Sequence, residues 1–454
     1  MFEDDRGLHA DAASSGSSPP GCAGDLGTWM GVLAEMPVAE SEAEAVDRVR
    51  VLEGLKAACA AAQARETEAF RRMRCAAEAE KGVPVRERGR GVAGEVALAR
   101  RESPQAGSKD VGLARALVAE LPHTMAALTR GGISEWKATV MCRETAWLPV
   151  EARARVDEVL ADRLESLGVK RLGGEARRLA QQLDPATAVA QTDRCERERR
   201  VSVRPAPGGM AYLTALLPMR QAVACLGSLT RAAATAVGVG AAAERTQDQV
   251  MADLLVERVT GQTSADAVPV EVHLVMTDQA LLGAALPETA GPSDAPDTSD
   301  VQDASDVPAW LVGHGPVPAS TARRWLSETE GQVFLRRLYT APESGQLVGM
   351  EAQRREFSGP LRRMVILRED TCRTPWCDAA VKHIDHAVPF REGGATSFEN
   401  GSGLCERCNY TKENPGWSHE ATAQKLTVRT PTGHAYRVET GSIVPGAALV
   451  VSGS

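Results

Sequence analysis

The chain has 454 residues, of which 43% are hydrophobic and 25% charged, and it carries a net charge of -8. That length exceeds one typical domain, and the composition is that of a globular protein able to bury a core. The negative balance excludes whole-surface attraction to nucleic acid or to an anionic membrane, so such a partner would have to be met by a local patch.

Residues 1–27 are rich in Ser, Gly, Asp and Pro and are expected to form a disordered lead. They have no apolar stretch of the signal-peptide kind. The longest small-apolar run, Ala232 to Ala243, has 12 residues, too few for a bilayer span. The expected setting is therefore cytoplasmic, with no membrane partner.

From there to about residue 195 the pattern is mostly helical. SEAE at Ser41 to Glu44 has the form of a capping box, and Val46, Val49, Leu52, Leu55 and Cys59 follow at helical spacing, which predicts a helix running towards Glu80. KGVPVRERGRGVAGE interrupts the pattern. EARARVDEVLADRLESLG resumes it, with Val156, Val159, Leu160, Leu164 and Leu167 on one stripe and Gly168 as its expected stop.

The period then changes. RRVSVRPAPGGMAYLTALL predicts two strands around a Pro-Gly-Gly turn, and VPVEVHLVM at 268–276 predicts another strand. ERTQDQVMADLLVERVTG predicts a helix closed by glycine. Residues 286–308 are acidic and rich in Pro, Ser and Thr, as in a flexible insertion. His273 in the alternating strand and His314 in GHGP are expected to be structural, whereas His123, His419 and His434 find no partner by spacing. LTVRT and AYRVE predict a terminal hairpin. The fold class expected is α+β, with a mainly helical N-terminal region and a mixed middle.

Six of the ten cysteines are scattered, but Cys372, Cys377, Cys405 and Cys408 are grouped as two pairs with 27 residues between them. Two short-spaced thiol pairs suit a structural Zn2+, since each turn delivers two thiolates. Unrelated free thiols are the competing reading, and a disulfide framework ranks below both. Between the pairs lies KHIDHAVPF. A strand over Ile384–Val388, a Gly-Gly loop and a helix near Cys405 would bring Asp385 and His386 together with Asn400 and Asn409. Those ligand types suit Mg2+ or Mn2+ and leave one imidazole to move a proton, which is the chemistry of phosphodiester hydrolysis.

DH at 385–386, Asn400 fourteen positions on and CERCNYTK resemble the HNH endonucleases of the ββα-metal fold, and the four cysteines resemble their zinc-clipped subset. The resemblance implies a small C-terminal ββα-metal domain with structural zinc. It implies His386 and Asn400 as the catalytic positions, His386 as general base and Asn400 holding the base loop in shape. It makes Asp385 a ligand of the catalytic metal. Asn409 stands where many members carry a final histidine, and its amide oxygen suits Mg2+. Glu413, one turn further, is a candidate third ligand, and His383, on the same strand face as Asp385, an accessory residue.

GHGPVPASTARRWL, YTAPESGQLVGM, REDTCRTPWCD, GHAY and QDQVMADLLVERVTG resemble actinobacterial HNH proteins of the thirteen-E-twelve repeat type, whose N-terminal helical domain has no known function. Where those proteins usually read Pro-Gly-Cys, this chain has Pro-Trp-Cys.

The expected partner is double-stranded DNA. From Arg354 to Lys382 seven Lys or Arg face four acids, a modest excess, and Arg373, Lys382 and Lys412 are the candidate phosphate contacts. The expected domains are 28–345, helical and mixed; 346–420, the nuclease; and 421–454, a hairpin and tail. A module that binds nucleic acid without cleaving it is the alternative, because Asn409 departs from the family pattern. Nothing in the residues sets the oligomeric state.

Overall fold

The computed structural model describes residues 23–240, 242, 244–262, 274–275, 307–311, 315–328 and 357–439. Its first helix, α1 (Ala23–Ala34), takes in residues 23–27, which were expected in the lead. Leu26, Trp29, Met30 and Leu33 recur there at helical spacing, and all are exposed.

Ser41 then accepts the Glu44 amide at 3.2 Å, and the Glu44 carboxylate reaches back to the Glu40 amide at 2.9 Å. These bonds start α2 (Glu42–Glu80). The apolar stripe is not its core face, because Val46 and Val49 are exposed while Ala57, Ala61, Ala64 and Glu68 are buried. Alanine lets neighbouring helices approach closely, and α2 packs on α4 (Pro104–Ala119) and α5 (Pro122–Thr129). Between α2 and α4, the expected break holds α3 (Val92–Arg100).

The helices α6 (Glu135–Thr145), α7 (Val150–Leu160), α8 (Val169–Leu183) and α9 (Pro185–Arg197) follow. The stripe expected to run unbroken to Leu167 divides at Leu160, where the chain tightens into a 3-10 turn and Leu164 turns into the core. Gly168 is extended at φ -67°, ψ 154° and begins α8 instead of ending α7. Leu117, Leu121, Leu128, Leu160 and Leu172 are fully buried in this core, and each stabilises the fold by about 1.5–3 kcal/mol. Leu121 cannot cap α5, and Asp157 of α7 does so instead, accepting the His123 and Thr124 amides at 2.7 and 3.0 Å.

The chain forms two compact units. One comprises Met1–Gln191, Gln353–Phe357 and Thr371–Glu439, the other Thr192–Ala352, Ser358–Asp370 and Thr440–Ser454.

In the second unit β1 (Arg200–Ala206) and β2 (Met210–Leu216) pair antiparallel from Arg200↔Leu216 to Ala206↔Met210. Gly208 and Gly209 turn the chain at φ 74° and 73°, where only glycine avoids a Cβ penalty. The helix α10 (Met219–Gly238) packs on α11 (Gln247–Thr260) through Ala233 and Val250. Thr246 and Gln249 form a full capping box for α11, and Gly261 ends it at φ 73°. The strands β3 (Leu274–Val275), β4 (Ala309–Leu311) and β5 (Gly315–Val317) make an antiparallel sheet in that order. The helix α12 (Ala319–Glu328) shares its core through Ala322, and α13 (Gly359–Glu369) completes the described elements of this unit. His273, His314 and nearly all of the acidic stretch at 286–308 lie outside the described residues.

The C-terminal part of the first unit contains β6 (His383–His386), β7 (Gly401–Leu404) and α14 (Glu406–Lys412), followed by β8 (Ser418–Ala421), β9 (Lys425–Arg429) and β10 (Ala435–Glu439). The last three form one sheet in the order β10-β9-β8. Leu426 and Val428 on β9 bury against Leu98 of α3, with Trp376, Trp417 and Tyr436 around them. A Cβ at Gly94 of α3 would stand 3.1 Å from both Thr411 of α14 and Trp417, so glycine is what permits this approach. Buried Glu95 ties the contact together, accepting from Arg74 at 2.8 Å and from the Thr432 hydroxyl at 2.6 Å. No helix among the described residues is long and apolar enough to cross a membrane.

Candidate metal centre and nuclease site

The strands β6 and β7 pair antiparallel, with His383↔Leu404, Asp385↔Ser402 and His386↔Gly401 in register. With α14 they form a strand-strand-helix unit. The sequence predicted one strand here because β7, GSGL, is half glycine and has little strand propensity of its own. It is held by its partner and by burial of all four residues.

Cys405 caps α14, its sulfur accepting the Cys408 amide at 3.4 Å. Cys372 and Cys377 sit in a tight knuckle closed by Cys372 N to Ala379 O at 2.7 Å and Cys377 N to Thr374 O at 3.0 Å. The four sulfurs lie within 4.8 Å of one another and are buried, and Cys377 and Cys405 are 3.7 Å apart. A tetrahedral ion with metal-sulfur bonds of about 2.3 Å places its sulfurs about 3.8 Å apart, so the donor set fits Zn2+. Contacts with Cys372, Cys377 and Cys408, that with Cys372 strongest, hold the Cys405 thiol far below its usual value, while Cys372 contributes most to pushing Cys408 up. A bound cation would take all four as thiolates.

Trp376 in the knuckle has φ 59°, the left-handed region where Pro-Gly-Cys would place glycine. Its ring packs edge-on against Tyr436 with centroids 5.9 Å apart, so the substitution is compensated by contact with the last sheet.

His386 is set between the rings of Phe357 and Phe390, with centroids at 4.7 and 5.6 Å, and its Nε2 lies 2.9 Å from the Thr396 hydroxyl. Asn400 clamps the loop that follows. Its Oδ1 accepts the Val388 amide at 2.8 Å, and its Nδ2 donates to Val388 O at 3.1 Å and to Ala395 O at 2.8 Å. A Cβ at Gly394 would come within 1.9 Å of Val388 O and 2.9 Å of Asn400 Nδ2, so the second glycine of the Gly-Gly loop is required by this clamp.

Residues 49–369 match the family model described as a domain of unknown function, DUF222. The chain belongs to the DUF222 family. Beyond the DUF222 match, residues 372–415 match the HNH endonuclease model. That stretch holds the four cysteines, β6, β7, Asn400 and α14. An HNH domain implies a nucleic-acid substrate. No curated protein and no solved structure matches the chain.

Within the HNH segment of this DUF222 protein the remaining predicted residues divide. The Asp385 carboxylate accepts the Lys412 ammonium, which also donates to His386 O at 2.7 Å. Lys412, expected to meet phosphate, is thus turned inward. Arg373 is buried as well, donating to Thr422 O at 2.8 Å, and its side chain serves the fold. Lys382 is exposed and donates its backbone amide to Leu404 O at 2.9 Å.

Asn409, half-buried, lies three residues before Lys412 and so shares its helix face towards Asp385. Glu413 is exposed at the end of α14, and among the described residues the four cysteines are the group of three or more His, Cys, Asp or Glu able to hold an ion. Asp385, His386 and Glu413 do not converge in that way. His383 is exposed, with the Tyr410 ring 6.5 Å from its own.

Phe357, Phe390 and Thr396 around His386 have no periodic signature in the sequence. His419 on β8 is a further addition. Desolvation and then the charge of Lys412 push its imidazole down to about 4, with Asp385 opposing, so a neutral ring faces the Asp385 and Lys412 pair.

Proposed function

We propose that the protein is a metal-dependent endonuclease that hydrolyses phosphodiester bonds of double-stranded DNA in the cytoplasm, with residues 346–420 as nuclease, 28–345 as a selecting or regulating domain and 421–454 as its C-terminal support. The observation that carries this reading is the seating of His386. Two aromatic rings and the Thr396 hydroxyl seat its imidazole, while Asn400 pins the next turn of chain. A neutral imidazole can accept a proton from water near neutral pH, the step a general base performs.

Asp385 and Asn409 would hold Mg2+ or Mn2+, with Glu413 and His383 as outer groups. Such an ion, when bound, withdraws charge from the scissile phosphate and the leaving oxygen. Asn400 is a positioning residue, since its hydrogen bonds go to the loop. The four cysteines would hold Zn2+ and keep β7 and α14 at a constant separation.

The test is nicking of supercoiled plasmid in Mg2+ and Mn2+ by wild type and His386→Ala, with zinc measured on the same samples. Loss of nicking at unchanged zinc content is expected, and a variant that nicks like wild type removes the assigned base. One observation favours a second reading, a zinc-stabilised module that binds nucleic acid without cleaving it. The Asp385 carboxylate is already matched by Lys412. Plasmid binding by wild type without cleavage across a divalent-metal series would decide for it.

A further inference from the structure

We infer that the β1-β2 ribbon of the DUF222 region is a second DNA-contacting surface, engaging the phosphates of a duplex; the inference rests on the reading of the chain as a DNA nuclease. The sequence around it departs from the chain's balance. Overall, acids outnumber Lys and Arg by 60 to 52, yet from Arg199 to Arg231 there are five arginines and no Asp or Glu. All five, Arg199, Arg200, Arg204, Arg220 and Arg231, are exposed.

Their partners are not carboxylates among the described residues. Arg199 and Arg200 reach the backbone carbonyls of Glu196 and Glu198, at 2.7 and 3.4 Å, and Arg204 lies 4.0 Å from the Tyr212 ring centre. Arginines of the first unit are matched instead, Arg71 with Glu68, Arg74 with Glu95, Arg177 with Glu144. Exposed arginines with no carboxylate partner among the described residues, in an acidic chain, suit an anionic partner.

The ladder sorts the ribbon into two faces. One carries Arg200, Ser202, Arg204, Tyr212 and Thr214, since Ser202 pairs with Thr214 and Arg204 with Tyr212, with the apolar Leu216 and Met210 at its two ends. Every polar group on that face can donate a hydrogen bond, and none is an obligate acceptor. Four residues of strand separate Arg200 from Arg204 by about 13 Å, comparable with the roughly 12 Å width of the major groove, which admits a two-stranded ribbon. The opposite face carries Val201, Val203, Leu213 and Ala215, so the donors gather on one side. A second copy of the chain would bring a like-charged face to this one, and like charges opposed across a contact are unfavourable.

The test is equilibrium binding of a labelled 30-base-pair duplex to the full chain in EDTA, which separates binding from cleavage, across a salt series. Arg200→Gln with Arg204→Gln should weaken binding at least tenfold and reduce the slope of log K against log salt by about 1.8, at about 0.9 per phosphate released. Arg200→Lys with Arg204→Lys, which keeps the charge, should retain the wild-type slope. Arg155→Gln with Arg178→Gln, on the first unit, should leave affinity within twofold. Wild-type affinity and slope in the double-Gln protein overturn the inference, as does wild-type binding to anionic lipid vesicles but not to duplex. Plasmid nicking is scored separately. Nicking that depends on His386 with ribbon-independent binding removes the ribbon and leaves the nuclease, and ribbon-dependent binding without nicking does the reverse.

Discussion

Asn400→Ala is the sharpest probe of the loop that follows His386. It deletes three hydrogen bonds to the backbone, to Val388 N, Val388 O and Ala395 O. Each is worth about 1 kcal/mol net at a half-buried site, so the clamp contributes about 2–3 kcal/mol to local closure. That corresponds to roughly 30- to 140-fold in the opening equilibrium. Hydrogen exchange of the Val388 amide, whose acceptor is the Asn400 side chain, should accelerate by that factor, while amides of the distant α2 core keep their protection. Zinc content should stay at wild type, since Asn400 touches none of the cysteines. Asn400→Asp keeps the acceptor but turns a carboxylate towards two carbonyls, so it should open the loop at least as much. Unchanged exchange at Val388 in both variants would refute the clamp and, with it, the positioning role in the proposed nuclease.

Other consequences can be measured directly. Cys405→Ser should abolish tight zinc binding and expose the ββα unit to protease, because a structural zinc site contributes on the order of 10 kcal/mol to the fold that holds it; full zinc stoichiometry in the variant would count against the four-sulfur centre. Lys412→Met should lower the stability of that unit by about 1.5–3 kcal/mol, the usual cost of losing a hydrogen bond to a charged group, read as a shift in thermal unfolding. Glu68, buried on α2, is held below its ordinary carboxylate pKa first by its hydrogen bond to Arg71, with Arg72 adding to it. Its depressed pKa means the stabilisation is present above about pH 4.5 and lost as pH falls through the lower folded-state value, so wild type and Glu68→Gln should converge in stability on acidification and separate again near neutrality. Trp376→Gly should relieve about 1–2 kcal/mol of left-handed strain yet still destabilise the protein, because the Tyr436 contact is lost; a more stable variant would show that the ring does not pack in solution.

The roles proposed for Asp385, His386 and Asn400 rest on the resemblance to HNH endonucleases. The cysteine centre was legible because its chemistry is local, and the structure brings the four sulfurs together as the spacing of the pairs requires. Capping signals at Ser41 and Thr246 and the Pro-Gly-Gly turn were legible for the same reason, since each involves residues a few positions apart. What was hidden depended on distant partners. The buried face of α2 is alanine because leucines from α4 and α5 fill the space, so the apolar stripe at Val46 and Val49 pointed the wrong way. Gly168 starts a helix because Leu164 had already turned into the core. Lys412 and Arg373 looked like phosphate contacts, yet their partners at Asp385 and Thr422 lie 27 and 49 residues away in sequence. Thr396 and the two phenylalanines around His386 follow no period, and His419 faces its charged neighbours only after β8 has joined the last sheet.

The glycine at 94 and the buried carboxylate at 95 bear on modularity. They sit in the DUF222 match, yet they close against Thr411, Trp417 and Thr432, in and just beyond the HNH segment. The borders drawn by sequence families therefore do not coincide with a border in the packing. A fragment cut at the start of the HNH match would be severed through its own interior, with Leu426, Val428 and Trp417 stripped of the Leu98 side of their cluster. Transplanting the nuclease motif alone onto another protein would leave its apolar flank behind, whereas a graft that carries α3 with it keeps the two halves of that interior together.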